Sequence, residues 1–201
     1  ALMPLTDYVR INRMLTEQLL VSAASSNARI AVTISSGAAV HPVDARTSAL
    51  GENPYGYLKR EAEGALLDLS GDRLNTMVAR AWSVSGAHNQ RPSDYAMGDM
   101  IQQARRGRIR VKADREVWRR YITADELLAV TLAAGVSGSG ILDSGGPLVE
   151  MQELSEAVRA AINPSASITR EPLSGGADRY FSDGETWDSA VQATGLVPLS
   201  L

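Results

Sequence analysis

The sequence predicts an α/β fold built on a parallel sheet, and three observations carry that expectation. Residues 1–82 alternate helix, strand, helix, strand, the order that parallel strands joined by crossover helices produce. Ile30-Ala31-Val32-Thr33-Ile34 is β-branched and apolar on both faces, as strands covered on both sides are. Leu74 to Ala81 repeats that character in a second segment.

Taken in order, Met3, Tyr8, Ile11, Leu15, Leu19 and Leu20 recur at three to four residue spacing. They predict a helix over about 4–24, capped by Thr6 or Asp7. The strand from Ile30 runs into Ser35-Ser36-Gly37-Ala38-Ala39, and the polar stretch 41–53 reads as a loop. Pro54 suits the first turn of a helix, which continues through Leu58, Ala62, Leu66 and Leu69 to Gly71. The middle, 83–120, is irregular, with a helix expected near 97–106 and a short strand near 108–112. Thr123-Ala124-Asp125-Glu126 has the form of a capping box and opens a helix to about Ala134. Gly135 to Gly140 reads as a link, Gly140 to Asp143 as a third strand, and Leu148 to Ile162 as an amphipathic helix. The remainder, from Asn163, has weak periodicity, and Tyr180, Phe181 and Trp187 are expected to pack a small C-terminal lobe.

Composition narrows the function classes. The 201 residues are 44% hydrophobic and 21% charged, with a net charge of −3, which is ordinary for a folded domain. A chain of this charge lacks the basic footprint that nucleic acid requires, and Arg105 to Arg110 reads as a solvated surface. Without cysteine, disulfides, zinc-thiolate sites and thiol nucleophiles are excluded. No apolar run approaches the ~18 residues of a membrane span. No signal peptide is apparent, and a cytoplasmic setting is the default expectation. His41 and His88 read as loop residues without a role and give no metal-ligand spacing.

The strongest chemical constellation is Tyr55-Gly56-Tyr57-Leu58-Lys59. Residues four apart on a helix share a face. A phenol with pKa of about 10 is a poor base near neutrality, and a neighbouring ammonium lowers it. The pair then forms a proton shuttle for an alcohol or carbonyl. On spacing alone, a lysine snorkelling beside a half-buried ring is the commoner explanation. Position adds weight, because Ser35-Ser36 ends a buried strand just before that helix, and open α/β sheets bind ligands beyond the carboxyl ends of their strands.

Several segments in order resemble the extended short-chain dehydrogenase/reductases, the nucleotide-sugar epimerase and dehydratase branch. Asp7-Tyr8-Val9-Arg10-Ile11-Asn12 is similar to the helix bearing an active-site Asn, here Asn12. Ile34 to Val40 is similar to the Ser-Ser-x-x-x-Val signature, and Tyr55 to Lys59, with Glu63 beyond, to the Tyr-x-x-x-Lys helix. Arg80-Ala81-Trp82-Ser83-Val84-Ser85-Gly86 resembles Arg-x-x-Asn-x-x-Gly. Arg119-Arg120-Tyr121-Ile122, with Glu126-Leu127, resembles the Arg-x-Tyr-Ile segment whose Arg binds substrate phosphate. There are departures: Gly37 stands where the family has its catalytic Ser or Thr, Ser83 where it has Asn, and Glu126 where it has Asp.

The resemblance implies a doubly wound, Rossmann-like sheet lacking its N-terminal half, with a small C-terminal substrate lobe. Residues 1–82 would be the later part of an NAD(P)-binding domain, and 83–201 mainly the lobe, with 121–162 returning to the sheet. It implies an NAD- or NADP-dependent oxidoreductase, epimerase or dehydratase acting on a nucleotide-sugar. Tyr55, Lys59, Ser36 and Asn12 would be catalytic. Tyr55, Lys59 and Ser35 would bind cofactor, and Ser36, Ser83 and Arg119 substrate. No metal is expected. A homodimer through helices 4–24 and 54–70 is implied, with Leu15, Leu19, Leu66 and Leu69 serving either that interface or the core.

The Gly-rich dinucleotide loop is not in this sequence. Gly135, Gly138 and Gly140 follow a helix and precede a strand, whereas a phosphate cradle needs strand, glycines, then a helix N-terminus. Further chain is therefore expected before Ala1, since a half sheet alone would expose a wide apolar face. A non-catalytic relative on the same scaffold is the alternative, favoured by Gly37 and Ser83. A third possibility is a serine hydrolase at Ser144, because Asp143-Ser144-Gly145-Gly146-Pro147 resembles a chymotrypsin-like nucleophile segment. A histidine base in a fitting context is lacking for that chemistry.

Overall fold

The computed structural model describes residues 3–40, 49–86 and 89–196. They fall into two compact units, one drawn from 1–82, 125–145 and 182–200, the other from 83–124 and 146–181. His41 and His88 lie outside the described residues.

The first unit holds a three-stranded sheet of β1 (Ile30–Ser36), β2 (Asn75–Ala81) and the later strand Gly140–Asp143, in that spatial order and parallel throughout. Parallel pairing needs crossovers, and the helix α2 (Pro54–Leu67) lies in the one between β1 and β2, while α1 (Leu5–Ser25) precedes β1. The side-chain period of two sends Ala31, Ser35, Val78 and Arg80 to one face. There Ala31 and Val78 join Ala23, Leu66 and Leu74 in a core. α1 starts at Leu5 with Pro4 as its cap, not at Thr6 or Asp7, and Asp7 lies in its first turn, where a carboxylate favours the helix dipole. α2 has Asn53 as cap and Pro54 in its first turn.

The second unit contains β3 (Val84–Ser85), α3 (Ala96–Arg105), β4 (Arg108–Val111), β5 (Val117–Arg120) and β6 (Ile122–Thr123). In the first unit, α4 (Ala124–Ser137) leads to the third sheet strand, β7 (Gly140–Asp143). The second unit resumes with β8 (Leu148–Glu150), α5 (Met151–Ile162), β9 (Ser167–Arg170) and β10 (Asp178–Arg179). Its core gathers Met100, Ala104, Ile109, Val111, Tyr121, Met151, Leu154 and Val158. A last helix, α6 (Glu185–Thr194), returns to the first unit.

Three expectations need correction. α4 runs through Gly135 to Ser137 rather than ending near Ala134. Glycine is required there because a Cβ would come within 2.8 Å of Ile30 Cγ2. Leu148–Glu150 is a strand, antiparallel to β5, and the helix begins only at Met151. Glu150 ends the strand and opens the helix through a capping box with Glu153. Trp187, expected in the C-terminal lobe, is buried in the first unit. Its indole sits where a Cβ on Gly145 would be, and Thr186 Oγ1 accepts the Asp143 N–H at 3.0 Å. The units also place 146–162 with the second body and 182–194 with the first, unlike the sequence-based boundaries. Sequence distance hid this, because α6 meets β7 across some forty residues.

Candidate active site

β1 ends in two serines that the strand's alternation turns opposite ways. Ser35 faces α2, and its hydroxyl donates to Glu63 Oε1 at 2.5 Å. Arg80 grips the same carboxylate through Nε at 2.9 Å and Nη2 at 2.7 Å, and its Nη1 lies 3.6 Å from Asp143 Oδ2. The hydrogen bond and charge of Glu63 hold the Arg80 guanidinium above its ordinary pKa. Asp143 Oδ1 in turn accepts the Trp82 indole N–H at 2.7 Å. Ser36, 8% exposed, caps the one-turn helix Gly37–Ala39, its Oγ accepting the Ala38 N–H at 3.2 Å.

α2 is seated directly on that turn. Gly56 N–H donates to Asn53 Oδ1 at 2.9 Å, and a Cβ on Gly56 would collide with the Ala38 carbonyl. Arg60 Nη1 donates to the Ala39 carbonyl at 2.6 Å. This contact sets Tyr55, 44% exposed, in the first turn beside the carboxyl end of β1. One turn on, Lys59 Nζ donates to the Ile34 carbonyl at 2.8 Å and stands 5.8 Å from the Tyr55 ring centroid. Burial pushes the Lys59 ammonium below its ordinary pKa, and the Glu63 carboxylate opposes that shift.

Gly37 is covered by the indole of Trp82, whose Cδ2, Cε3 and Cε2 atoms occupy the space of a Cβ. Asn12 donates from Nδ2 to the Tyr8 carbonyl at 2.8 Å, within its own helix. Ser144 is fully buried, and its hydroxyl accepts the Trp82 backbone N–H at 3.0 Å. That geometry removes it as an exposed nucleophile.

Arg119 and Ser83 belong to the second unit. The Ser83 carbonyl accepts the Ile122 N–H at 3.2 Å. Arg119 Nη2 donates to Asp178 Oδ2 at 2.8 Å, Nη1 donates to the Trp118 carbonyl at 2.8 Å, and the guanidinium lies 5.5 Å from the Tyr180 ring centroid.

The structure therefore brings Ser35, Ser36, Tyr55 and Lys59 together around one strand end. Sequence reasoning missed the parts played by Asp143 and Trp82, and the pairing of Asp178 with Arg119. No local spacing announces those partners, which lie 61 and 59 residues apart. Among the described residues, no group of three or more His, Asp or Glu side chains could hold a metal ion.

Lys59 spends one of its three N–H donors on Ile34 and stands beside an exposed phenol. These residues fit the nicotinamide-ribose end of NAD(P).

The fold is Rossmann-like, and solved structures share it. UDP-N-acetylglucosamine 4-epimerase from Bacillus cereus superposes with a TM-score of 0.71 at 16% identity, over 96% of this chain and 66% of that one. RMD from Pseudomonas aeruginosa, complexed with NADPH, gives 0.70 at 20% identity, over 96% and 68%. UDP-glucuronic acid 4-epimerase from Bacillus cereus, in complex with NAD, gives 0.66 at 18% identity, over 94% and 61%. The chain thus spans about two thirds of the length of these structures. Among curated proteins none matches. The pattern of the NAD dependent epimerase/dehydratase family matches residues 4–140, and the chain belongs to that family. No helix among the described residues is long and apolar enough to cross a membrane.

Proposed function

We propose that this chain is part of an NAD(P)-dependent epimerase, dehydratase or reductase acting on a nucleotide-linked sugar. The observation that carries the reading is the Tyr55–Lys59 pair at the carboxyl end of β1, with Lys59 fixed on the Ile34 carbonyl. Tyr55 and Lys59 would hold the nicotinamide-ribose end of NAD(P), which would supply hydride acceptor and donor chemistry there. Tyr55 exchanges a proton between its phenol oxygen and the reacting sugar hydroxyl. Lys59 favours the phenolate by its charge and holds the ribose. Ser36 Oγ hydrogen-bonds the reacting oxygen. Asn12 supports the Lys59 side through water. Ser35 acts through Glu63, fixing the α2 face on which Lys59 stands. Ser83 lines the substrate, and Arg119 receives its phosphate with a planar donor fork.

The same reading includes a homodimer through α1 and α2. Those helices pack on each other, tied by Arg13 to Glu61 at 2.7 and 2.8 Å. Leu15 is 55% exposed and available to a second copy, whereas Leu66 is fully buried in the core.

The test uses the native protein with NAD or NADP and a panel of UDP-, dTDP- and GDP-linked sugars. Tyr55→Phe is expected to lower turnover by about 100-fold or more with cofactor binding retained. Unchanged turnover overturns the assignment. The indole over Gly37 favours a second reading, a binding protein without turnover. Cofactor binding by the wild type with no conversion of any sugar in the panel would select it.

A further inference from the structure

The cations of this chain are unevenly spread. Residues 105–112 hold five of its 20 Lys and Arg, namely Arg105, Arg106, Arg108, Arg110 and Lys112, and none of its 23 Asp and Glu. All five are exposed, at the end of α3 and along and just beyond β4, while Ile109 and Val111 alternate with them into the core. Lys112 is paired with Asp99 and Arg110 with Glu171, each at 2.7 Å. Among the described residues, Arg105, Arg106 and Arg108 have no side-chain hydrogen-bond or ion-pair partner. The ordinary use of arginines at such a place is to satisfy a helix C-terminus. Here that end is closed without them. The Ala104 carbonyl accepts the Gly107 N–H at 2.9 Å and Asn163 Nδ2 at 3.1 Å, and the Gly107 carbonyl accepts the Ser167 N–H at 3.1 Å. The same bonds fix the turn around which the three guanidinium groups stand. On β4 the Arg110 N–H is held by Gln103 Oε1 at 2.7 Å, so that backbone donor is not open to a further strand.

We infer that this face of the second unit, the end of α3 with the exposed side of β4, is a docking surface for an acidic segment of a partner protein. Charge complementarity carries the inference, since three unpaired arginines stand in a stretch without a carboxylate. Their planar forks match carboxylates in pairs of hydrogen bonds, and arginine is enriched where proteins meet. Alternate side chains on β4 repeat at about 7 Å, the spacing of alternate carboxylates on an extended acidic chain. Nucleic acid fits less well. Residues 97–112 contain no aromatic side chain on which a base could stack, and the chain as a whole carries a net charge of −3. A lipid surface fits less well too, because Ile109 and Val111 are buried and leave no apolar side chain of this stretch to insert. The contact is electrostatic, so it weakens with salt. It does not depend on the catalytic reading.

The experiment is fluorescence anisotropy of a labelled deca-glutamate peptide titrated with the whole chain at low salt. The wild type is compared with the triple variant Arg105→Gln, Arg106→Gln, Arg108→Gln. A second triple variant, Arg10→Gln, Arg29→Gln, Arg91→Gln, removes the same charge from exposed arginines elsewhere. Circular dichroism checks that each is folded, and single Arg108→Gln serves should the first triple variant fail to fold. The first triple variant is expected to weaken binding about tenfold or more, and the second by less than about threefold. Equal weakening by both overturns the inference, since net charge alone then governs the contact. Absence of binding by the wild type overturns it as well. Tighter binding of the wild type to an oligothymidylate, or to phosphatidylserine vesicles, than to the peptide overturns it in favour of a nucleic acid or a lipid surface.

Discussion

The indole of Trp82 occupies the space that a side chain on residue 37 would need. Its ring nitrogen is tied to Asp143 at 2.7 Å and its backbone N–H to Ser144 at 3.0 Å, so the ring is held at both ends. Gly37 and Trp82, the residue just after β2, are thus one packing solution. Restoring a serine at Gly37 is expected to destabilise the first unit by about 1–3 kcal/mol, the usual cost of overpacking. Trp82→Ala combined with Gly37→Ser should recover part of that loss. Urea unfolding of the two single variants and the double variant measures the coupling, and strictly additive effects would contradict it.

Glu63 and Arg80 form a bidentate pair whose side chains are nearly buried. Removing Glu63 strips the nearly buried Arg80 of its bidentate partner and leaves it with Asp143 at 3.6 Å, at a cost of up to about 3 kcal/mol. Glu63→Leu should therefore destabilise far more than Glu61→Leu, whose partner Arg13 is exposed. Denaturant midpoints for the two variants give the comparison.

The acid limb of the stability curve should carry the signature of Glu150. Burial alone would raise its carboxyl. The hydrogen bonds from Arg170, the Gln152 and Val117 N–H groups and the Arg170 charge outweigh burial and bring it to about 2. A folded pKa below the unfolded value of 4.5 means the stabilisation is present above pH 4.5. It is lost as the pH falls from there towards about 2. The shift corresponds to about 3 kcal/mol. Urea unfolding of the second unit's probes across that range should lose this amount, and Glu150→Gln should flatten the limb.

Lys59 separates stability from function. Its ammonium is held partly out of water at a cost that lowers its pKa, so the fold gains little from the charge. Lys59→Met is expected to leave the thermal midpoint within the change equivalent to about 1 kcal/mol. The same variant should lower turnover on the recognised nucleotide-sugar by about 100-fold. Parallel thermal scans and rate measurements test this, and a large loss of stability would assign Lys59 to the scaffold.

Local signals made the parallel sheet legible. β1 opens on the apolar, β-branched run Ile30 to Ile34, β2 carries the buried Met77-Val78-Ala79, and Pro54 behind Asn53 marked the start of α2 within a residue. The Tyr55 and Lys59 face was legible because four-residue spacing fixes it within one helix. What lay beyond reach was long-range. Leu148–Glu150 has an amphipathic pattern that suits the following helix, and only pairing with β5 makes it a strand. Gly135 reads as a helix stop, yet it lies inside α4, where its lack of a Cβ accommodates the close approach of Ile30. Asp143, Trp82 and Asp178 gain their roles from partners that are 61 residues apart in one case and 59 in the other, and no periodicity reports such distances.

The three-segment make-up of the first unit has a consequence for how the chain folds. β1 and β2 emerge early, but β7 comes after the whole of 83–124, and Trp187 of α6 covers Gly145 only when the last fifth of the sequence is in place. Each such closure is a long loop whose entropy is lost before the contact repays it. Until β7 is in place, β2 has no partner on its second side. That open edge of β2 is the place where wrong pairing would start while the chain folds.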